Sequence, residues 1–222
     1  MAVTPLQSVR ARIDICDVKM RQAADATALI AVSKTQSVAA IEALIAEGHL
    51  EYGENRVQEA QEKWPALRER NPDIILHLIG QLQSNKAEEA VLLFDAIHSV
   101  DRPSLIAALG KAIEKTGRHP YCFIQVNIGD EPQKGGCAIA ELPLLLEMAR
   151  DAGLKPCGLM CIPPEGVEPA PYFALLAKLA RRHGLSGLSM GMSADFETAI
   201  LCGATHVRVG TALFGARNEE RG

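Results

Sequence analysis

One stretch of sequence decides the fold: Ala28-Leu29-Ile30-Ala31-Val32-Ser33-Lys34-Thr35, an apolar run that ends on a lysine. An apolar run of this length, closed by polar residues, is typical of a buried parallel strand. A lysine at the end of such a strand can hold its amine partly away from water, which lowers the pKa of the amine and makes it a candidate nucleophile. Lys34 can also lay its stem over apolar neighbours and keep its charge in water, and the segment alone favours that interpretation.

The rest of the chain alternates strand-like with helix-like segments. An amphipathic helix comes first, from Thr4 to about Arg21, and opens on a capping-box pattern at Thr4 and Gln7. Amphipathic stretches then separate eight apolar runs, and glycines stand where the helices should end. The predicted strands are Ala28–Lys34, His49–Gly53, Ile74–Gly80, Ala96–Val100, Cys122–Ile128, Leu154–Ile162, Gly187–Gly191 and Thr205–Gly210.

Eight strands in strict alternation with helices predict an α/β fold, a TIM-type (β/α)8 barrel with an extra N-terminal helix. We expect a single domain over residues 1–222, since no linker or central break interrupts the alternation. An open doubly wound sheet is the alternative, which alternation alone does not exclude. No Gly-x-Gly-x-x-Gly motif follows the first predicted strand, so a dinucleotide site has no support.

The composition excludes several classes of protein. Of 222 residues, 48% are hydrophobic and 23% charged, and the net charge of −4 comes from interspersed signs, which gives no basic surface for nucleic acid or anionic lipid. No secretory signal or membrane-spanning run is apparent. The six cysteines include no C-x-x-C pair, which favours reduced thiols and no metal site. We expect a cytoplasmic protein, and a monomer because barrel closure leaves no exposed sheet edge.

The candidate chemistry lies where strands give way to the following helices, as in barrels of this type. The last two junctions read Gly191-Met192-Ser193-Ala194-Asp195 and Arg208-Val209-Gly210-Thr211-Ala212. Ser193 is predicted as an N-cap beside an anion, Gly210 allows close backbone approach, and Thr211 adds a hydroxyl. Either junction alone could simply cap a helix, but both together favour phosphate binding.

Closure of the barrel would place Arg208 beside Lys34, because the eighth strand pairs with the first. His206 shares the face of Arg208 one pleat deeper and is interpreted as a core histidine. Arg208 could instead be an ionic partner within the core. A lysine nucleophile, a phosphate cradle and a nearby arginine together describe a site for pyridoxal 5′-phosphate. Arginine at the pyridine nitrogen disfavours protonation of the ring, which suits binding, or a racemase with strong acid and base groups.

Six motifs in this order carry a resemblance to a known family: Ala31-Val32-Ser33-Lys34-Thr35, Gly53-Glu54-Asn55, His77-Leu78-Ile79-Gly80-Gln81-Leu82-Gln83-Ser84-Asn85-Lys86, Gly158-Leu159-Met160, Ser189-Met190-Gly191-Met192-Ser193-Ala194-Asp195 and Val207-Arg208-Val209-Gly210-Thr211-Ala212-Leu213-Phe214-Gly215. The chain resembles the pyridoxal-phosphate homeostasis protein family, which is similar to the N-terminal barrel of alanine racemase. The resemblance implies an aldimine at Lys34, with no catalytic residue and no metal. The cofactor-binding residues it implies are Lys34, Asn55, Met192, Ser193, Arg208, Gly210 and Thr211.

The function implied by the resemblance is to hold and release pyridoxal phosphate, which affects vitamin B6 and amino-acid or keto-acid balance, without robust catalysis. Its partners would be the cofactor and the apo-enzymes that receive it. An amino-acid racemase is the alternative, but racemisation needs a base on each face of the substrate carbon. Of the three tyrosines, only Tyr52 is predicted near the right rim. A class I aldolase using Glu54 as acid or base is a third possibility, and it leaves Arg208 without a role.

Overall fold

Eight parallel strands close into a barrel in the computed structural model, which describes residues 2–20 and 27–215. Each strand pairs with the next in sequence, and β8 pairs with β1. This confirms the TIM-type barrel and excludes the open sheet, since β1 has neighbours on both sides. The strands are β1 (Ala28–Val32), β2 (Glu51–Glu54), β3 (Ile75–Leu78), β4 (Ala96–Val100), β5 (Tyr121–Gln125), β6 (Pro156–Met160), β7 (Gly187–Ser189) and β8 (His206–Val209).

Helices surround the barrel between successive strands. They are α1 (Pro5–Lys19), α2 (Val38–Ala46), α3 (Val57–Arg70), α4 (Ala87–Leu93), α5 (Pro103–Thr116), α6 (Leu142–Asp151), α7 (Ala170–Arg182), α8 (Phe196–Leu201) and α9 (Thr211–Phe214), with 3-10 turns at Ser84–Lys86 and Ile139–Glu141. No helix in the described part of the chain is both long and apolar enough to cross a bilayer.

Most strands end earlier than the apolar runs suggest. The predicted limits of β4 match the structure, whereas β1, β3, β6 and β7 stop two residues before their predicted ends, β5 three residues and β8 one; β2 ends one residue later than predicted. The backbone turns sharply just beyond some strands: Thr35 and Gly191 have φ values of 61° and 92°. Extended backbone has negative φ, so these residues belong to the loops at the carboxyl end of the barrel.

Helix α1 lies outside the repeating pattern and packs on α8 and α9. Its capping box is confirmed: the Thr4 hydroxyl accepts a hydrogen bond from the Gln7 amide, and the Gln7 side chain accepts one from the Thr4 amide. The predicted end at Arg21 falls outside the described residues, and the helix ends at Lys19. Leu6, Val9, Ile13 and Cys16 form its buried face, whereas Met20 at the C-cap is exposed.

The cysteines behave as core residues. All six lie in the described part of the chain and are free thiols. Burial raises the pKa of Cys122, Cys137 and Cys161 to about 12. Thiols with such pKa values stay protonated and act as small hydrophobic side chains.

A buried carboxylate joins α1 to the start of the barrel. Asp17 on α1 is 1% exposed, and it accepts hydrogen bonds from the Thr27 hydroxyl at 2.6 Å and from the Thr27 amide at 3.2 Å. Hydrogen bonds to a charged acceptor are among the stronger ones in proteins. Asp17 therefore fixes α1 to the residue that precedes β1.

We expect Asp17→Ala to lower the free energy of unfolding by about 2 kcal/mol, because it leaves the Thr27 donors without their acceptor. The matched control is Asp14→Ala, on the exposed face of the same helix, which should change stability by less than about 0.5 kcal/mol. Denaturant unfolding of both variants measures the difference. Equal stabilities of the two variants would contradict this role for Asp17.

Candidate functional site

A cavity of about 290 Å³ opens at the carboxyl end of the barrel, beside the ends of β1, β7 and β8. Six of the seven predicted binding residues line it: Lys34, Met192, Ser193, Arg208, Gly210 and Thr211. Its volume is close to the lower limit for small-ligand pockets. The structure thus brings together residues from the two ends of the sequence.

The seventh predicted residue, Asn55, lines a separate cavity of about 240 Å³ at the same end of the barrel, with Gly80 and Gln81 among its walls. A Cβ atom at Gly80 would overlap the carbonyl oxygen of Asn55, so glycine is required where the loop after β3 crosses Asn55. Asn55 is therefore placed by backbone contact with that loop.

The backbone around Lys34 is held on both sides. Ser33 donates its amide to the Gly53 carbonyl at 3.0 Å and its hydroxyl to Glu54 Oε1 at 2.7 Å. Thr35 donates its amide to Glu59 Oε1 at 2.6 Å while its φ is 61°. Positive φ is strained for a β-branched residue, and such strain persists only where surrounding contacts enforce it. The half-buried Lys34 side chain thus leaves from a fixed backbone into the cavity.

The acidic group beneath this loop is Glu54, and one of its two oxygens contacts several polar side chains. Glu54 is fully buried, and its Oε1 accepts hydrogen bonds from Ser33 and from Trp64 Nε1 at 3.1 Å. Lys63 lies 2.7 Å from the same oxygen and also donates to the Ser33 carbonyl at 2.9 Å. Oε1 of Glu54 supports the Lys34 loop, whereas Oε2 is buried without a hydrogen-bond partner among the described residues. Glu54 is not among the residues that line the cavity, which argues against the acid–base role that an aldolase would need.

Lys63 links Glu54 to a second carboxylate, Glu59, 2.8 Å away. Burial by itself would raise the pKa of Glu59, but Lys63 and the Thr35 amide outweigh it and hold that pKa below its usual value. Our sequence analysis missed Lys63, Glu59 and Trp64 as supports of the loop. The four-residue spacing of Glu59 and Lys63 on one helix is the signal that could have paired them.

The last two junctions are joined by a hydrogen bond. The Gly210 amide donates to Ser193 Oγ at 3.2 Å, which ties the loop after β7 to the loop after β8. The prediction that Ser193 caps a helix is wrong: α8 begins at Phe196, with Asp195 in the N-cap position. The reason is that the Asp195 carboxylate accepts the Met192 amide at 2.6 Å and so closes the turn itself. The Ser193 hydroxyl is left to reach across to β8.

The anion donors of this corner come from both loops. Ser193 accepts through its oxygen and keeps its O–H hydrogen available to donate, and Thr211 adds a second hydroxyl at the cavity wall. Thr211 begins α9, and the first amides of a helix have no acceptors within that helix. Hydroxyls and amides of this kind suit a phosphate group.

Arg208 projects from β8, which pairs with β1 as predicted. Its register partner is Ile30 and not Lys34, although Lys34 and Arg208 both line the cavity. It is 5% exposed, and burial lowers the pKa of its guanidinium from the ordinary value. Nη1 donates to Ser189 Oγ at 2.6 Å and Nη2 to the Cys161 carbonyl at 2.9 Å. Among residues 2–20 and 27–215 it forms no ion pair within 4.0 Å. An ionic core partner is therefore the weaker of the two interpretations.

His206 lies toward the opposite end of the barrel. It is half-buried, which corrects its interpretation as a core histidine, and its ring packs edge-on against Phe123 at 5.1 Å. Its Nδ1 lies 2.8 Å from Thr205 Oγ1. Burial lowers the pKa of His206 to about 4, so the ring is neutral near pH 7.

Known proteins are similar to this chain in sequence and in fold. Residues 6–218 match the N-terminal domain of alanine racemase. The pyridoxal phosphate homeostasis protein of Synechocystis sp. is 40% identical over 85% of this chain and 91% of its own length. That of Pseudomonas aeruginosa is 42% identical over 86% and 84%. The solved structure of PipY from Synechococcus elongatus PCC7942 with PLP bound is 40% identical, with a TM-score of 0.76, and covers 91% of this chain and all of that one.

The fold and the cavity thus define a barrel of the alanine racemase N-terminal-domain class. Within that class, the chain belongs to the pyridoxal phosphate homeostasis protein family. The resemblance drawn from the sequence motifs is confirmed.

The buried ion pair beneath Lys34 makes a prediction about stability. We expect Lys63→Met to lower the free energy of unfolding by about 3 kcal/mol, because it leaves the buried Glu54 carboxylate without its cation. The double variant Glu54→Gln/Lys63→Met removes that unpaired charge and should recover part of the loss. Denaturant unfolding of the two single variants and the double variant gives the coupling. Strictly additive effects would show that the pair does not carry this energy.

Proposed function

We propose that this protein binds pyridoxal 5′-phosphate in the cavity at the carboxyl end of its barrel and contributes to intracellular vitamin B6 and amino-acid or keto-acid homeostasis without robust catalysis. The observation that carries the proposal is the meeting of a lysine amine, two hydroxyls at anion-binding loops and a buried guanidinium at one cavity. Membership of the family and the PLP-bound structure of a 40% identical relative support it.

The residues present fit this cofactor. When bound, pyridoxal phosphate supplies an aldehyde carbon that reacts reversibly with a lysine amine. Lys34 would provide the amine, and Ser193, Gly210 and Thr211 would hold the phosphate. Protein packing does not demand glycine at 210, since a Cβ there would make only an ordinary contact with Val32 at 3.4 Å. Close approach of the phosphate to the backbone accounts for it.

Arg208 would face the pyridine nitrogen. A guanidinium donates hydrogen bonds and cannot accept them, so the nitrogen opposite it must act as an acceptor and stay unprotonated. An unprotonated ring withdraws electrons weakly, which favours holding the cofactor over activating a substrate on it. Met192 would cover the phosphate side, and Asn55 would approach the ring from the neighbouring cavity.

The racemase alternative needs a second base, and none of the three tyrosines, all in the described part of the chain, lies at the cavity. Tyr52, expected near the right rim, is fully buried and donates its hydroxyl to the His49 carbonyl at the amino end of β2, so that expectation was wrong. Burial also raises the pKa of Tyr52. Tyr121 opens β5 at the amino end and Tyr172 lies on α7, so neither supplies a base at the cavity.

The wider setting is part of the same proposal. We infer that the chain is a single domain, cytoplasmic and monomeric, and that apo-enzymes which need pyridoxal phosphate are its recipients. The interspersed charge and the closed barrel support this setting.

Lys34→Met should abolish borohydride-stable attachment of pyridoxal phosphate, because it removes the amine and keeps the apolar stem. Lys86→Met and Lys134→Met are matched controls, since each lysine lies at the same end of the barrel in an ion pair with a glutamate, Glu89 and Glu131 respectively. Mass spectrometry of the reduced protein locates the adduct. Full attachment in Lys34→Met would move the site to another lysine.

Thr211→Val should weaken binding of pyridoxal phosphate about tenfold and leave the binding of pyridoxal, which lacks the phosphate, unchanged. The lost hydrogen bond to a charged group is worth about 1.5 kcal/mol, and about 1.4 kcal/mol corresponds to a factor of ten. Thr198→Val, on α8 outside the cavity wall, is the control. Equal weakening for both ligands would place Thr211 away from the phosphate.

A further inference from the structure

A line of hydrogen-bonding groups runs through the interior of the barrel to Arg208. Arg208 Nη1 donates to Ser189 Oγ at 2.6 Å, and Ser189 Oγ lies 2.8 Å from His98 Nδ1. His98 Nε2 lies 3.0 Å from His77 Nδ1, and His77 Nε2 lies 3.3 Å from Glu51 Oε2. Glu51 is the first residue of β2, so the line spans the barrel from its amino end to the cofactor cavity.

The two ends of the line fix the direction of every hydrogen bond in it. A guanidinium only donates, so Ser189 Oγ accepts from Arg208, and its own O–H needs an acceptor. Among the described residues, His98 Nδ1 is the acceptor within reach of that fully buried hydroxyl. His98 must then carry its proton on Nε2 and donate it to His77 Nδ1.

The Glu51 carboxylate at the other end of the line favours the same direction of donation. His77 accepts on Nδ1, so its proton is on Nε2, and that nitrogen lies 3.3 Å from Glu51 Oε2, close enough for electrostatic attraction although the two atoms do not meet the geometry of a hydrogen bond. The reverse order would set a bare His77 nitrogen against the carboxylate and leave the Ser189 hydroxyl hydrogen without a partner. Both histidines are therefore neutral and protonated on Nε2.

Burial agrees with this assignment. His98 is completely buried and stacks on Phe123 with ring centroids 4.2 Å apart. Burial lowers the pKa of His98 well below its ordinary value. Although burial alone would raise the pKa of Glu51, the adjacent His77 N–H lowers it below the usual value, so the carboxylate stays charged.

We propose that Glu51, His77, His98 and Ser189 are positioning residues that orient Arg208 and compensate its buried charge from the opposite end of the barrel. Each aligned dipole turns its negative end toward the guanidinium, and hydrogen bonds in such a chain strengthen one another. The inference rests on the proposed function for its effect on the cofactor. It makes cofactor retention sensitive to a residue at the far mouth of the barrel.

The amino end of the barrel is open enough for the proposal to be tested by substitutions there. Glu51, His77 and His206 line a cavity of about 400 Å³ at the amino end, together with the exposed Tyr121. The Glu51 side chain is 28% exposed, so substituting it does not open a hole in the core. Tyr121 borders the same cavity without joining the line of hydrogen bonds, which makes Tyr121→Phe the matched control.

The first experiment needs no cofactor. Nitrogen-15 NMR of the protein alone should show His77 and His98 protonated on Nε2, and the His98 signals should not change between about pH 5 and 8, the range in which an unperturbed histidine titrates. The Arg208 side-chain protons should exchange slowly with water, and faster in Glu51→Ala. Protonation of either histidine on Nδ1, or an Arg208 exchange rate that does not change in Glu51→Ala, would overturn this proposal whether or not the cofactor binds.

The second experiment measures the effect on pyridoxal phosphate. Glu51→Ala should speed release roughly threefold and shift the absorption band of the lysine-bound cofactor, from the loss of cooperative strengthening along the chain. Glu51→Gln should restore most of the wild-type behaviour, because its amide oxygen still accepts from His77, and Tyr121→Phe should match wild type. An unchanged absorption band and release rate in Glu51→Ala would overturn this positioning role, as would a Glu51→Gln variant that behaves like Glu51→Ala. Failure of the wild-type protein to bind the cofactor would instead overturn the proposed function.

Breaking the line within the barrel gives an independent measure. His98→Phe keeps a ring against Phe123 but removes both nitrogens, and it should weaken retention about tenfold. If this variant fails to fold, the two Glu51 variants still decide the question, since they act at the half-exposed end. Retention of the cofactor at the wild-type level in a folded His98→Phe protein would contradict the positioning role of His98.

Discussion

The pairing of β1 with β8 is the constraint on which the site depends. It sets Ile30 opposite Arg208 and Ala31 opposite Val209, so the strand that leads to Lys34 and the strand that leads to Thr211 end side by side. Neither end of the chain holds a site alone, because one contributes the amine and the other the anion donors and the guanidinium. Bringing distant segments together costs chain entropy, which the packed interior of a closed barrel offsets.

Contacts on both sides of Lys34 hold its backbone in place. The Glu54–Lys63 pair and Glu59 hold the residues on either side of it, including the positive φ of Thr35. Such an arrangement suits an amine that attaches to a ligand and releases it, since the geometry of the attachment point survives each release.

The sequence predicts the barrel and the position of the site because both follow from local patterns. Alternation of apolar runs with amphipathic stretches determines the strands, and the polar junctions after them mark the functional end. Pairings between distant segments leave no such local signal. His77 and His98 lie in two apolar runs without recognisable spacing, and only the closed barrel brings His77 Nδ1 within 3.0 Å of His98 Nε2. Ser193 shows the same limit: the capping pattern there is real, but Asp195, two residues later, is the stronger acceptor for the turn.

The polar groups of the interior argue for holding a cofactor over using it. Glu54 is bound to Lys63, Trp64 and Ser33, and Tyr52 is bound at the other end of the barrel, so neither is available as an acid or base at the cavity. Arg208 donates to neutral acceptors on the protein, and in the proposed binding mode it would offer the pyridine nitrogen a donor only, which would keep the ring a weak electron sink. Racemisation on a bound cofactor needs a base on each face of the substrate carbon. None of the three tyrosines lies at the cavity to serve as the second base, which supports the proposal that the protein holds the cofactor without using it on a substrate.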